Sequence, residues 1–469
     1  MKINNIACIG AGFVGGPTMA VIALKCPEIN VTVVDKNPHK IEDWNGSLKN
    51  LPIYEPGLSD IIGTVRNKNL FFSTNIREAI EKADMVFMAV NTPTKSKGVG
   101  KGYAADLSNI ENCALTIGKY AKNDLIVVEK STLPVRTAEK IKEVLEKSNK
   151  SVKFDILSNP EFLAEGTAVN DLFNSDRVLI GGEDSKSGIS AIDKLREIYL
   201  KWIPEEKIII TNVWSSELSK LVSNAMLAQR ISSINSISAI CEHTGADIME
   251  ISKAVGMDKR IGNEFLNPSI GFGGSCFKKD ILNLVYIAKS LNLNEVADYW
   301  ESVVEINSYQ TDRVSEKIKE FLESDIKNKN ITILGWAFKK NTNDSRESSS
   351  IYLAYNLLES GAYINVFDPM VKKDSIIQDI KNIFNERKTK VYDINEYLDR
   401  VKIFDDVNDS FIGSSIAVIS TEWEMFIDMD WKSIYDKMIS PKFIVDGRNI
   451  INKNDLKKIG FKIYTIGQI

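Results

Sequence analysis

Histidine is nearly missing from the 469 residues: only His39 and His243 occur, and neither lies in a glycine-rich or otherwise site-like stretch. Histidine is the side chain that titrates near neutral pH, so a mechanism centred on it has little material here. The five cysteines (Cys8, Cys26, Cys113, Cys241, Cys276) are scattered, odd in number and free of Cys-x-x-Cys spacing. That argues against a disulfide framework and against a zinc site, and no metal is expected. No apolar run approaches the ~18 residues of a membrane span. Met1-Lys2-Ile3-Asn4-Asn5 leads directly into a short apolar strand without a signal-peptide core, so a cytoplasmic protein is expected. Excess basic charge is lacking too: the net charge of -4 gives nucleic acid or an anionic membrane no attracting field. A small anion stays open as a ligand, provided a few Lys and Arg converge locally.

What is present is ordinary globular composition, 43% hydrophobic and 26% charged, in a chain too long for a single ordinary core. Near the N-terminus, the apolar run Ile6-Ala7-Cys8-Ile9 ends in Gly10-Ala11-Gly12-Phe13-Val14-Gly15, a helix is expected over Pro17 to Lys25, and Val31-Thr32-Val33-Val34 ends at Asp35. Strand, glycine turn, helix, strand and acid in that order form the dinucleotide-binding fingerprint in its required context. The glycines allow a tight turn and close approach of backbone to a pyrophosphate, whose charge meets the helix N-terminus. Asp35 can accept hydrogen bonds from a ribose diol and would repel a 2′-phosphate, so NAD is favoured over NADP. Two further strands, Met85 to Val90 and Leu125 to Val128, lead into polar turns, Asn91-Thr92-Pro93-Thr94 and Glu129-Lys130-Ser131-Thr132. Ligands of open α/β sheets bind beyond the carboxyl ends of the strands, which makes both turns candidate cofactor contacts.

A looser version of the plan returns at Ile331 to Gly335, Ile364 to Asp368, Ile416 to Ile419 and Phe443 to Asp446. Its first turn, Trp336-Ala337-Phe338-Lys339-Lys340, offers lysine in place of the later glycines, and a second Rossmann-like domain for a different phosphate ligand is expected. Between the two halves, Leu218, Leu221, Val222, Ala225 and Met226 recur at helical spacing and the pattern continues toward Cys241. The fold class is therefore α/β: two doubly wound Rossmann-like domains joined by a long central helix and a helical domain. Boundaries fall near 212 and 325, giving 1–212, 213–325 and 326–469.

The strongest local chemical signal is Gly271-Phe272-Gly273-Gly274-Ser275-Cys276-Phe277-Lys278-Lys279-Asp280. A helix starting at Ser275 or Cys276 would lower the thiol pKa through its dipole, the setting of a nucleophile, and would put Asp280 on the same side one turn later. A buried cysteine beside a capping turn is the alternative, and it is the expected one for Cys8, inside a strand. Lys220 and Asn224 also stand one helical turn apart, opposite the apolar stripe, where solvated lysines are common. Glu161 and Glu165 share that spacing in Ser158 to Gly166 and read as a helix-capping pair or as a catalytic pair.

Taken in order, Gly10 to Gly15, Asn91 to Thr94, Glu129 to Thr132, Ser158 to Gly166, Trp214 to Lys220, Gly271 to Asp280, Phe338-Lys339-Lys340, Ser345 to Ser350 and Asp446-Gly447-Arg448 resemble the UDP-glucose/GDP-mannose dehydrogenase family. The resemblance covers nearly the whole chain and is nearest the eukaryotic members that oxidise UDP-glucose. It implies a four-electron oxidation of UDP-glucose to UDP-glucuronate with two NAD. Cys276 would trap the aldehyde as a thiohemiacetal whose oxidation gives a thioester. Lys220 would stabilise the oxyanion, Asp280 and Lys220 with a water would handle the alcohol proton, and Glu161 would act as acid or base. Thr132 and Glu165 would lie near the nicotinamide end.

The same resemblance implies NAD contacts from Gly10, Gly12, Phe13, Val14, Gly15, Asp35, Lys40, Val90, Asn91, Thr92, Pro93, Thr94, Ser131, Thr132, Glu165, Cys276 and Arg346. For the substrate it implies Glu161, Phe162, Leu163, Glu165, Lys220, Asn224, Arg260, Asn267, Phe272, Gly273, Phe277, Phe338, Lys339 and Arg448. Arg260 would come from a neighbouring subunit of a dimer-based homo-oligomer, a hexamer being the better expectation. Asn267 stands where animal members usually have lysine, and Lys40 where they have arginine. Two readings compete: a relative acting on GDP-mannose or UDP-N-acetylmannosamine, and a non-catalytic UDP-sugar or NAD sensor. A sensor has no need of Cys276, Lys220 and Asp280 together.

Overall fold

The computed structural model describes residues 2–323, 325–387 and 393–468. They divide into two compact units: residues up to Ser223 together with Leu282–Leu293, and Asn224–Ile281 together with the residues from Asn294 onward.

The first unit is built on an eight-stranded sheet. Its strands are β1 (Asn5–Ile9), β2 (Asn30–Val34), β3 (Leu70–Ser73), β4 (Met85–Met88), β5 (Leu125–Glu129), β6 (Phe154–Ser158), β7 (Val178–Gly182) and β8 (Ile208–Asn212), in the order β3-β2-β1-β4-β5-β6-β7-β8. All neighbours pair in parallel except β6 and β7, which run antiparallel. The apolar runs read from the sequence become strands because helices cover both faces, so every position must be buried. Alternation along the pleat sorts them: Ile6, Cys8, Val31, Val33 and Val128 pack into one core, Ala7, Ile9, Val34 and Val127 into the other. Cys8 is fully buried, and burial pushes its thiol far up. The strand order reverses between β1 and β4, which puts the Gly10 to Gly15 turn and the Asn91 to Thr94 turn at the topological switch point.

In the second unit, β9 (Asn330–Leu334), β10 (Tyr363–Phe367), β11 (Val401–Ile403), β12 (Ser414–Ile419), β13 (Phe443–Asp446) and β14 (Lys462–Thr465) form a wholly parallel sheet ordered β11-β10-β9-β12-β13-β14. Its order reverses between β9 and β12, so the turn Trp336 to Lys340 and Ser420 lie at this sheet's switch point.

The expected long helix is Val213–Thr244, 32 residues. Its residues through Ser223 belong to the first unit and the rest to the second. Within the second unit, Glu242 of this helix accepts from Arg313 (2.6 Å), Tyr464 (2.7 Å) and the Gly467 amide (2.8 Å), which ties it to helix Asn294–Phe321 and to β14. Among the described residues no helix is long and apolar enough to cross a membrane.

Candidate active site

In the first unit the glycine turn has a separate task at each glycine. Gly10 sits at φ 113°, where a side chain is strained and a Cβ would run into the Ala89 carbonyl. At Gly15 a Cβ would run into the Gly10 carbonyl, so this glycine keeps helix Gly15–Lys25 against the turn. A Cβ at Gly12 would meet nothing within 4 Å, so the space above the turn is open for a pyrophosphate. Asp35 accepts from the Ala11 amide (3.1 Å), the Asn37 amide (3.0 Å) and Lys40 Nζ (3.2 Å). Burial opposes its charge, yet those backbone donors and Lys40 hold its carboxyl below the usual range. Lys40, expected as an NAD contact, is thus the counter-ion of Asp35, the acid expected at the ribose. Asn37 caps its helix by accepting from the His39 and Lys40 amides, which fixes that approach. The turns after β4 and β5 are bound to each other: Thr92 Oγ1 donates to the Thr132 carbonyl (3.0 Å), and Ser131 Oγ to the Val90 carbonyl (2.6 Å). These features fit a bound NAD.

Glu161 does not cap a helix. Pro160 and Gly166 (φ 83°) bracket an irregular segment, and helix Ala168–Phe173 starts only afterwards. Instead Glu161 forms a buried ion pair with Lys130 (2.9 Å) and accepts from the amides of Phe162 (2.8 Å) and Leu163 (3.2 Å) and from Thr18 Oγ1 (3.3 Å). Burial pushes its carboxyl up, but Lys130 and the two amides outweigh that and keep it low, so Glu161 is held ionised. Lys130 was missed as a site residue. Its ammonium also donates to Asn159 Oδ1 (3.0 Å) and Tyr199 Oη (3.1 Å), and Tyr199 donates to Asn159 (2.7 Å). Lys220 is not solvated as its position on the helix suggested. It is buried, with Nζ 5.2 Å from the centre of the Phe162 ring.

In the second unit, the glycine loop is pinned from several sides. The Phe272 amide donates to Asn307 Oδ1 (2.8 Å) and the Phe272 carbonyl accepts from Asn307 Nδ2 (3.0 Å), while the Gly274 amide donates to the Arg346 carbonyl (2.9 Å). A Cβ on Gly273 would press on the Glu347 carbonyl (2.6 Å) and on Phe338 Cβ (2.9 Å), and one on Gly274 on the Phe338 ring (2.9 Å). Only glycine lets the loop lie this close to Phe338 and to 346–348. The loop delivers Cys276 to the start of helix Phe277–Ser290, slightly later than the expected start, with the Asp280 amide donating to the Cys276 carbonyl (2.8 Å). Cys276 is exposed, whereas the other four cysteines are buried. Phe277 meets Phe272 edge to face, ring centres 5.7 Å apart. Asp280 is buried and accepts from Asn224 Nδ2 (2.6 Å), with Lys279 Nζ 3.3 Å away.

Arg448 reaches the same Phe338: it donates to the Phe338 carbonyl (3.1 Å) and the Ser420 carbonyl (2.7 Å), and it pairs with Glu422 (3.3 Å). Lys339 Nζ lies 5.7 Å from the centre of the Phe338 ring. Arg346, an expected NAD contact, pairs with Asp344 through Nε (2.8 Å) and Nη2. Arg260 and Asn267 are exposed, and Arg260 pairs with Asp258 (2.6 Å). Phe272, Gly273, Phe338 and Arg448 are thus gathered with the Cys276 loop, and Arg260 and Asn267 stand outside that group.

Three family models together match most of the chain. The NAD binding domain of the UDP-glucose/GDP-mannose dehydrogenase family matches residues 4–203, its central domain 214–309 and its UDP binding domain 332–453. The UDP-glucose 6-dehydrogenase of Drosophila melanogaster is 53% identical over 466 residues, covering 99% of this chain and 96% of the relative. That of Bos taurus is 52% identical over 470 residues, covering 100% and 94%. A UDP-glucose dehydrogenase structure from the hyperthermophilic archaeon Pyrobaculum islandicum, 29% identical, superposes with a TM-score of 0.84 over 100% of this chain and 98% of that one. With a cofactor turn, a cysteine loop and a second Rossmann-like sheet all in the family's order, the chain belongs to the UDP-glucose/GDP-mannose dehydrogenase family.

Proposed function

We propose that this chain is a UDP-glucose 6-dehydrogenase that oxidises the sugar's C6 alcohol to a carboxylate in two NAD-dependent steps. The observation that carries the reading is Cys276: an exposed thiol at a helix start, on a loop that glycine alone allows against Phe338. When bound, NAD supplies the hydride acceptor for each step. The Cys276 thiolate adds to the aldehyde carbon left by the first oxidation, and the resulting thiohemiacetal loses a second hydride to become a thioester. Water then cleaves the C–S bond, giving carboxylate and free thiol. The Lys220 ammonium offsets negative charge on the oxygen, and Asp280, oriented by Asn224, accepts a proton from water in a relay with the alcohol. Glu161 enters as a base, because Lys130 holds it ionised. Arg448 and Lys339 are the cations for the diphosphate, and their placement at Phe338 beside the Cys276 loop supports that role.

The test is NADH formation on a panel of nucleotide sugars. UDP-glucose is expected to turn over fastest, well ahead of GDP-mannose and UDP-N-acetylmannosamine, with NAD preferred over NADP because of Asp35. Fastest turnover of another sugar overturns the substrate assignment.

The chain is further proposed to work as a homo-oligomer in which Arg260 serves a neighbouring copy's substrate site. In support, Met226, Ile240, Met257 and Tyr309 of the second unit are each at least half exposed, more apolar surface than a lone unit needs. Sedimentation is expected to give at least a dimer, and a fully active monomer removes this part of the proposal.

A further inference from the structure

Two carboxyl groups of the first unit that the mechanism does not use are buried together. Glu129 ends β5 and Glu217 lies in the second turn of the long helix, one turn before Lys220; they are 1% and 2% exposed. Neither Glu129 oxygen accepts a hydrogen bond from any described N–H or O–H group, and the partner its carboxyl does meet is the Glu217 carboxyl. Two carboxylates in contact, both out of water, repel strongly unless a proton sits between them. Glu217 has a second attachment. Its oxygens accept from the amides of Arg136 (2.6 Å) and Ala138 (2.8 Å), at the start of helix Thr137–Ser148, which has no capping side chain of its own. Arg136 there sits at φ 76°, a conformation strained for a residue with a side chain, and Glu217 holds it. The segment between the two carboxyls is loop 130–136, which begins next to Glu129, ends at Arg136 and carries Ser131 and Thr132.

We propose that Glu129 and Glu217 share one proton and act as a positioning pair that clamps both ends of loop 130–136, so that Ser131 and Thr132 are set for NAD. This rests on the reading of that loop as a cofactor contact. Burial pushes Glu217 up to about 7 in spite of the amides it accepts, and burial beside Glu217 pushes Glu129 well above the usual carboxylate range. The charged groups around the pair do not relieve it. Glu139 of helix Thr137–Ser148 adds repulsion, the Arg136 guanidinium is engaged with Glu139 (3.2 Å) and the Trp214 ring, and Lys130 is turned to Glu161. Opposite Glu129 on the neighbouring strands stand uncharged Met88 and Ser158. Because both groups are raised in the folded state, the stabilisation is complete below the ordinary carboxyl range; the part from Glu217 is lost as pH rises through about 7, and the part from Glu129, raised well above its ordinary range, is lost as pH rises further.

The test compares the wild type with Glu129→Gln, whose amide can donate permanently to an ionised Glu217 and stands in for the shared proton. Unfolding midpoint without ligand and Kd for NAD are measured from pH 6 to pH 9. In the wild type the midpoint is expected to fall and the Kd to rise by about tenfold from the acid to the alkaline end of that range, the effect of one ionisation displaced by about one pH unit. In Glu129→Gln both courses should flatten, with the Kd at high pH close to the wild-type value at low pH. Identical pH courses in the two proteins overturn the proposal. Should the variant fail to fold, amide exchange in the wild type decides: protection of the Ala138 amide is expected to drop above pH 7 beyond the intrinsic rise in rate, and constant protection overturns the pair. If the midpoints behave as expected but Thr132→Ala leaves NAD affinity untouched at every pH, it is the placement of the loop beside NAD that fails instead.

Discussion

Cys276→Ser is expected to lower steady-state kcat for UDP-glucose on the order of 10³-fold or more, a larger loss than removal of one oxyanion donor brings. The reason is chemical, because the fold around position 276 barely notices the exchange: the side chain is exposed, with Ser275 Oγ 3.6 Å from its sulfur. A thiol at the start of a helix ionises readily, whereas a hydroxyl there stays protonated at neutral pH and attacks an aldehyde poorly. If an oxygen ester forms, it hydrolyses more slowly than a thioester, so the enzyme stalls with sugar attached. The checks are steady-state NADH formation together with intact-protein mass after mixing with UDP-glucose and NAD. Near-normal turnover of the serine variant would remove the covalent route.

The second large effect is expected at Gly12. Gly12→Val should raise the Kd for NAD on the order of 10²-fold or more, equivalent to at least about 2.7 kcal/mol, while changing the unfolding midpoint little. The separation of the two readouts follows from local geometry: a Cβ at this position touches nothing, and the backbone is not left-handed there, so the protein accommodates the side chain. What it fills is the space through which a pyrophosphate approaches the start of helix Gly15–Lys25. Gly15→Ala should show the reverse balance, because its Cβ runs into the Gly10 carbonyl. Titration calorimetry and thermal unfolding on both variants measure the contrast, and unchanged NAD affinity in Gly12→Val would move the cofactor away from this turn.

Much of this architecture was legible because its signals are local. An apolar run ending in Gly10 or Asp35 carries its own meaning, since the turn and the acid lie within one strand-helix-strand unit. The cysteine loop was legible for the same reason. The polar contacts of the first unit were not. Lys130 meets Glu161, Asn159 and Tyr199, the last 69 positions away, and Glu129 at the end of β5 meets Glu217 of the long helix. Spacing along the chain holds no trace of such closures, so Lys130 stayed unassigned inside a motif that had been singled out. Lys220 was misleading in the opposite sense: the position opposite the apolar stripe suggested solvent, but other elements cover that face and bury it. The i, i+4 spacing of Glu161 and Glu165 suggested a helix that Pro160 and Gly166 prevent. Short strands such as β7, with Gly181 and Gly182, carry too weak a pattern to be read alone.

The central claim, oxidation through a Cys276 thioester, is tested most directly by counting NADH against limiting UDP-glucose with excess NAD, run to completion at neutral pH. The account predicts two NADH per sugar, UDP-glucuronate as the sole sugar product and no free aldehyde. One NADH per sugar, with the aldehyde accumulating in solution, would contradict it.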